Sequence, residues 1–239
     1  MSHYEKLNVL TDSQHGFRKR RSCESQLIIT IDQLAKNTAS GNQVDIILLD
    51  FEKAFDKVPH SRLLYKLQFY GIRGRTNAWI KSFLSNRKQQ VVLEGTKSDK
   101  DDVLSGVPQG TVLHPLLFLT YINDMPSHTE SDVRLFADDS LLYREIRNTN
   151  DSIQLQEDLN ALESWEKKWL MRFNLSKCNV ISIPPKNKAV REGNGCKVSD
   201  LERDLKDLNF NKLSFDEQLS LEGEINVNEA SKVLHTRGS

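Results

Sequence analysis

The chain has 239 residues, 38% of them hydrophobic, with 33 basic and 33 acidic residues in balance, enough apolar material for one large domain or two small ones with a real core. Cys23, Cys178 and Cys196 are far apart and form no Cys-x-x-Cys pair, which argues against a disulfide framework or a zinc site and points to a reducing compartment. No stretch approaches the roughly 20 apolar residues of a membrane span, and Met1 is not followed by a signal segment, so an intracellular chain, cytoplasmic or nuclear, with no membrane partner is expected.

Ser22 is placed to cap a helix through Leu27, Ile28, Ile31 and Leu34 that ends near residues 37–41. VDIILLDF, residues 44–51, is a short apolar run rich in branched side chains, as for a strand buried on both faces, and Asp50 stands at its end. Pro59 suits the first turn of a helix carrying Leu63, Leu64, Leu67 and Tyr70, ended by Gly71 and Gly74, and a second helix follows through Trp79, Ile80, Phe83 and Leu84. Between Asp56 and Glu94 there is no acid, only Lys57, Arg62, Lys66, Arg73, Arg75, Lys81, Arg87 and Lys88. That run reads either as a solvated helix face or as a phosphate-binding one.

QQVVLEG reads as a strand, and SGVPQGTVLHP as a loop entering an apolar helix, Leu116 to Ile122. RLFADDSLLY, residues 134–143, reads as a β-hairpin with two carboxylates at its turn. Residues 150–171 repeat apolar positions at helical spacing, NVISI is a closing strand, and beyond Pro184 the chain becomes polar and acidic, which marks a boundary. The order of elements predicts an α+β domain with a mostly antiparallel sheet.

An aspartate at the end of a buried strand costs free energy unless it is paired or binds a metal. Asp138 and Asp139 repeat the problem, because adjacent carboxylates repel unless a cation sits between them. Carboxylates delivered by two strands to one end of a sheet suit Mg²⁺ and two-metal phosphoryl transfer. Taken alone, the Asp138–Asp139 pair reads equally well as ordinary turn residues.

Several blocks in order carry a resemblance. LLDFEKAFDKVPHSRLLYKL, GIRGRTNAWIKSFLSNRKQQVVLEG, SGVPQGTVLHPLLFLTYINDMP and LFADDSLLY resemble the palm motifs of reverse transcriptases of non-LTR (LINE-type) retrotransposons. QHGFRKRRSC resembles that family's fingers motif, and WEKKWLMRFNLSKCNVISI the palm motif after the aspartate pair, so that the likeness covers residues 14–183. It implies a right-hand polymerase palm with an antiparallel sheet backed by helices: residues 1–43 as partial fingers, 44–183 as palm with inserted fingers elements, and 184–239 as an acidic tail. The upstream fingers strands and the thumb are expected to be missing, and no endonuclease or RNase H segment is recognised.

The resemblance also implies roles. Asp50, Asp138 and Asp139 correspond to the catalytic, metal-binding aspartates, with the backbone carbonyl of Phe51 as a further ligand and Mg²⁺ (two ions, Mn²⁺ substituting) as cofactor. Phe55 corresponds to an aromatic gate against a 2′-hydroxyl, and Gln109 and Gly110 to the loop against incoming nucleotide and template. Lys177 matches a lysine that protonates departing pyrophosphate, and Arg18, with Arg21, matches positions that clamp triphosphate. The implied partners are an RNA template, a DNA primer and deoxynucleoside triphosphates, with the basic run touching nucleic-acid backbone. Arg20 and His114 stand where the family usually has glycine, which predicts strain if either glycine serves a positive φ or a close approach. With the altered glycines and shortened ends, the alternative is a catalytically silent remnant that at most binds nucleic acid.

Overall fold

The computed structural model describes Tyr4 and residues 6–184; the acidic tail, from residue 185 on, lies outside the described residues. Ser22 and Ser25 exchange side-chain and backbone hydrogen bonds in a capping box that starts α1 (Cys23–Ala39). The chain continues through β1 (Gln43–Leu49), α2 (His60–Phe69), α3 (Gly74–Leu84) and four two-residue strands, β2 (Lys88–Gln89), β3 (Val92–Leu93), β4 (Thr96–Lys97) and β5 (Asp101–Asp102). Next come α4 (Leu113–Ile122), a 3-10 turn (Met125–His128), the hairpin β6 (Asp132–Phe136) and β7 (Asp139–Ile146), α5 (Thr149–Trp169) and β8 (Asn179–Ile183).

The main sheet has the order β6-β7-β1-β8 and is antiparallel throughout, as the α+β reading expects. Ile47, Leu49, Leu142 and Ile146 face the main core, which Phe118, Tyr121 and Ile122 of α4 and Leu155, Leu159, Leu162 and Trp165 of α5 complete. On the other face Val44, Ile46 and Tyr143 pack with Leu34 of α1. Burial on both faces explains why β1 is almost continuously apolar. The register Leu49↔Ser140 and Phe136↔Asp139 sets the residue after β1 beside the turn between β6 and β7.

Three expectations change. QQVVLEG is not one strand but is divided between β2 and β3. Glu94 (φ 48°) and Gly95 (φ 83°) close a local hairpin in which β3 pairs with β4, while β2 pairs with β5. Gly74 does not end a helix; it begins α3. Lys66, counted in the basic run, is not a phosphate contact, since it is only 2% exposed. Its ammonium lies 3.8 Å from the Trp169 ring centre and 5.0 Å from that of Trp165, and donates to the Tyr121 carbonyl and to Asp124 Oδ1, each at 2.5 Å. Burial lowers its pKa to about 8, against the pull of Asp124.

Candidate active site

Asp50 follows directly on β1, and its backbone carbonyl accepts from the Asn174 N–H at 2.7 Å, which fastens the strand end to the loop before β8. Its Oδ2 faces Lys177 Nζ at 3.6 Å, whereas its Oδ1 is buried and has no hydrogen-bond partner. An ionised oxygen left so is the position a cation would satisfy. The Asn174 carbonyl also accepts from the N–H groups of Lys177 and Cys178, so one tight turn sets both Asp50 and Lys177.

Asp138 occupies the turn of the β6–β7 hairpin beside Ala137, whose φ of 56° is left-handed. Asp138 and Asp50 line one cleft of about 400 Å³, together with Phe55, Asp56, Gln109 and Lys177. Asp139 begins β7, is exposed and does not line that cleft. Partial burial and the nearby Asp138 and Asp50 carboxylates raise its pKa, with Lys177 opposing. Among the described residues no three His, Cys, Asp or Glu side chains form a group that could hold a metal ion. Asp50 and Asp138 share the cleft, and Asp139 stands next to them outside its lining. Two carboxylates fit Mg²⁺, which keeps several waters and takes substrate phosphates as further ligands.

The Phe51 side chain is buried and stacked on Phe173 with ring centres 4.8 Å apart, and the residue also lines the cleft. Phe55 is half-buried between His114 at 4.5 Å and Phe118 at 4.4 Å. Gln109 Nε2 donates weakly to Asp56 Oδ1 at 3.4 Å, a carboxylate that the sequence reading passed over. Gly110 has φ 75° with open space where a Cβ would stand, so its conformation rather than a close neighbour calls for glycine. The close approach in this loop belongs to Gly106, where a Cβ would come within 2.8 Å of the Asp56 backbone.

Arg18 and Arg21 do not line the cleft. Arg18 Nη1 donates to the Thr11 carbonyl at 2.7 Å, and Arg21 pairs with Asp12 and donates to the Gln14 carbonyl. These guanidiniums serve loop carbonyls that no strand partner satisfies. Of the two replaced glycines, Arg20 adopts φ 61°, the strained conformation expected, whereas His114 lies in the first turn of α4 without a positive φ. His114 instead fills space against Phe55, and its buried Nε2 has no partner. Burial lowers its pKa, against the pull of Asp56.

The family described as "Reverse transcriptase (RNA-dependent DNA polymerase)" matches residues 1–216. The chain belongs to this family. Among curated relatives of this reverse transcriptase domain, the RNA-directed DNA polymerase from mobile element jockey of Drosophila melanogaster is 33% identical over 185 residues, 71% of this chain and 19% of the relative. The corresponding jockey protein of Drosophila funebris is 30% identical over 195 residues, 78% of this chain and 21% of the relative. These matches place the domain with the polymerases of non-LTR retrotransposons, and the chain spans about a fifth of the length of these relatives. Apo telomerase from Candida tropicalis, truncated from its C-terminal domain, shares the fold with a TM-score of 0.54 at 14% identity, over 82% of this chain and 41% of that one. Among the described residues no helix is long and apolar enough to cross a membrane.

Proposed function

We propose that this domain adds deoxynucleotides to a DNA primer 3′-hydroxyl on an RNA template, with residues 44–183 as the palm and residues before them as part of the fingers. The observation that carries the reading is the meeting of Asp50 and Asp138 in one cleft, with an Asp50 oxygen buried and unpartnered. Asp50 and Asp138, with the Phe51 carbonyl, would hold Mg²⁺ or Mn²⁺. When bound there, such an ion would supply Lewis acidity to the primer hydroxyl and charge compensation to the departing pyrophosphate.

The remaining cleft residues bind, orient and exclude. Asp139, with its raised pKa, stands beside the pair and carries a proton more readily than an ordinary aspartate. Lys177 faces Asp50 across the cleft and offers an ammonium for protonating pyrophosphate. The Phe55 ring, held between His114 and Phe118, walls the place where a ribose 2′-hydroxyl would sit. Gln109 offers a donor and an acceptor to nucleotide or template, and the exposed bases Arg73, Arg75 and Lys81 offer phosphate contacts.

The test is extension of a primer on an RNA template by the full chain with Mg²⁺ and deoxynucleotides. Wild type is expected to extend and Asp138→Ala to lose extension; equal extension by both overturns the cleft as the active site. Phe55→Val is expected to raise the use of ribonucleotides relative to deoxynucleotides by roughly tenfold or more. An unchanged ratio in competition assays removes the gate from the reading. Extension by neither wild type nor variant, with divalent-ion binding intact, favours the silent remnant.

A further inference from the structure

The turn that carries Asp138 is held by a residue far from it in sequence. Gln14 is 2% exposed, and its side-chain amide closes on the turn: Oε1 accepts from the Ala137 N–H at 2.9 Å and from the Gly16 N–H at 2.7 Å, and Nε2 donates to the Ala137 carbonyl at 3.1 Å. Both backbone groups of the left-handed Ala137 are thus satisfied by one amide. The orientation of that amide is fixed by its surroundings, since two N–H groups face one end and a carbonyl the other.

The segment around Gln14 is itself anchored. It runs parallel to β6, with the Leu135 N–H donating to the Ser13 carbonyl and the His15 N–H to the Leu135 carbonyl, both at 2.9 Å. Asn123 at the end of α4 accepts from the Thr11 N–H and donates to the Val9 carbonyl, each at 2.8 Å, and Arg21 holds the Gln14 carbonyl. On the far side, a Cβ on Gly16 would lie 2.2 Å from the Ala137 nitrogen, so the glycine lets the splint reach the turn. A hairpin turn is ordinarily among the first parts of a sheet to open. Here it is gripped on the side opposite β7.

We propose that Gln14 is a positioning residue for Asp138: its amide locks Ala137 in the left-handed conformation and so fixes where the Asp138 carboxylate enters the cleft. The proposal rests on the reading of Asp50 and Asp138 as the cation-holding pair. The carboxylate acts on the ion, and Gln14 acts only through the backbone that bears it.

The experiment uses the full chain, without nucleic acid, and reads Mn²⁺ affinity by titration and amide hydrogen exchange by residue. Gln14→Met keeps the buried volume and removes every polar contact. It is expected to speed exchange at residues 137–140 about tenfold and to weaken Mn²⁺ binding about tenfold, with protection in α5 unchanged. Gln14→Glu keeps both accepted hydrogen bonds and, when protonated, can also donate to the Ala137 carbonyl, so protection of the Ala137 amide is expected to return as pH falls. Turn amides as protected in Gln14→Met as in wild type overturn the splint. Wild-type Mn²⁺ affinity in Gln14→Met beside a loss in Asp138→Ala overturns the assignment of Gln14 alone. Wild-type affinity in Asp138→Ala overturns the carboxylate reading and Gln14 with it. A second measurement needs no substitution: saturating Mn²⁺ is expected to slow Ala137 exchange in the wild-type chain about threefold or more. No change on adding Mn²⁺ overturns the proposal even where Gln14→Met fails to fold.

Discussion

Asp50→Asn is expected to lower primer extension roughly thousandfold while leaving the thermal midpoint unchanged or raising it. The loss follows from the chemistry: a divalent ion at a developing charge contributes several kcal/mol to the transition state, and about 1.4 kcal/mol is a decade in rate. The gain in stability follows from the environment. Asp50 Oδ1 is buried with no partner, and the nearby Lys177 is 64% exposed, with its ammonium 3.6 Å from the other oxygen. An amide of the same shape carries no charge, and relief of the poorly compensated carboxylate contributes about 1 kcal/mol. The bond from the Asn174 N–H goes to the Asp50 backbone carbonyl and survives the change, so the strand end stays fastened. Single-turnover extension and calorimetry on the same preparations check both halves. A midpoint several degrees lower would make Asp50 a structural residue, and undiminished extension would remove it from the chemistry. Destabilisation held in reserve at a functional position is a common feature of active sites.

Much of the candidate site is legible because it lies at interruptions of simple patterns. Asp50 ends an apolar run, Asp138 stands between two apolar runs, and each interruption has a local electrostatic cost that sequence exposes. Their convergence depends on the pairing of β1 with β7, which strand order alone does not specify. The reading failed where a neighbour from elsewhere in the chain decides. Lys66 sits among solvent-facing bases in the sequence, yet Tyr121, Asp124, Trp165 and Trp169 close over it from α4, the following loop and α5. Arg18, matched to a phosphate-clamping position, donates to the Leu10 and Thr11 carbonyls, contacts that its sequence neighbours do not announce. Gln14 sits in a recognised motif, but nothing local says that it grips a turn formed by residues more than a hundred positions later. QQVVLEG is strand only in part, because the Glu94–Gly95 turn folds its second half back on Thr96 and Lys97.

Asp124→Ala is expected to destabilise the fold by roughly 3 kcal/mol at neutral pH, whereas Lys66→Met is expected to be neutral or stabilising, although the two residues form one ion pair. The asymmetry comes from burial. The Lys66 side chain is 3% exposed and that of Asp124 25%, so removing the acid leaves an ammonium in an apolar box. Removing the base leaves Asp124 with solvent and with the Trp165 Nε1–H, which donates to it at 3.1 Å. Methionine then fills the space between the Tyr121, Trp165 and Trp169 rings without a charge to desolvate. The pair also sets a pH signature whose sign is fixed. Burial holds the Lys66 pKa at about 8 in the folded chain, with Asp124 pulling it up and Lys168 pushing it down, against 10.5 when exposed. Between those two values the unfolded chain binds the extra proton, so stability rises with pH across that window, by up to about 3 kcal/mol. Lys66→Met removes this rise, and the difference between wild type and variant in urea midpoints from pH 7 to pH 10.5 isolates it from the other lysines and tyrosines. Equal pH profiles would mean that Lys66 titrates as an exposed amine and that the aromatic box is open to water; a rise in wild type alone would fix the lysine as the buried cation around which α2, α4 and α5 are packed.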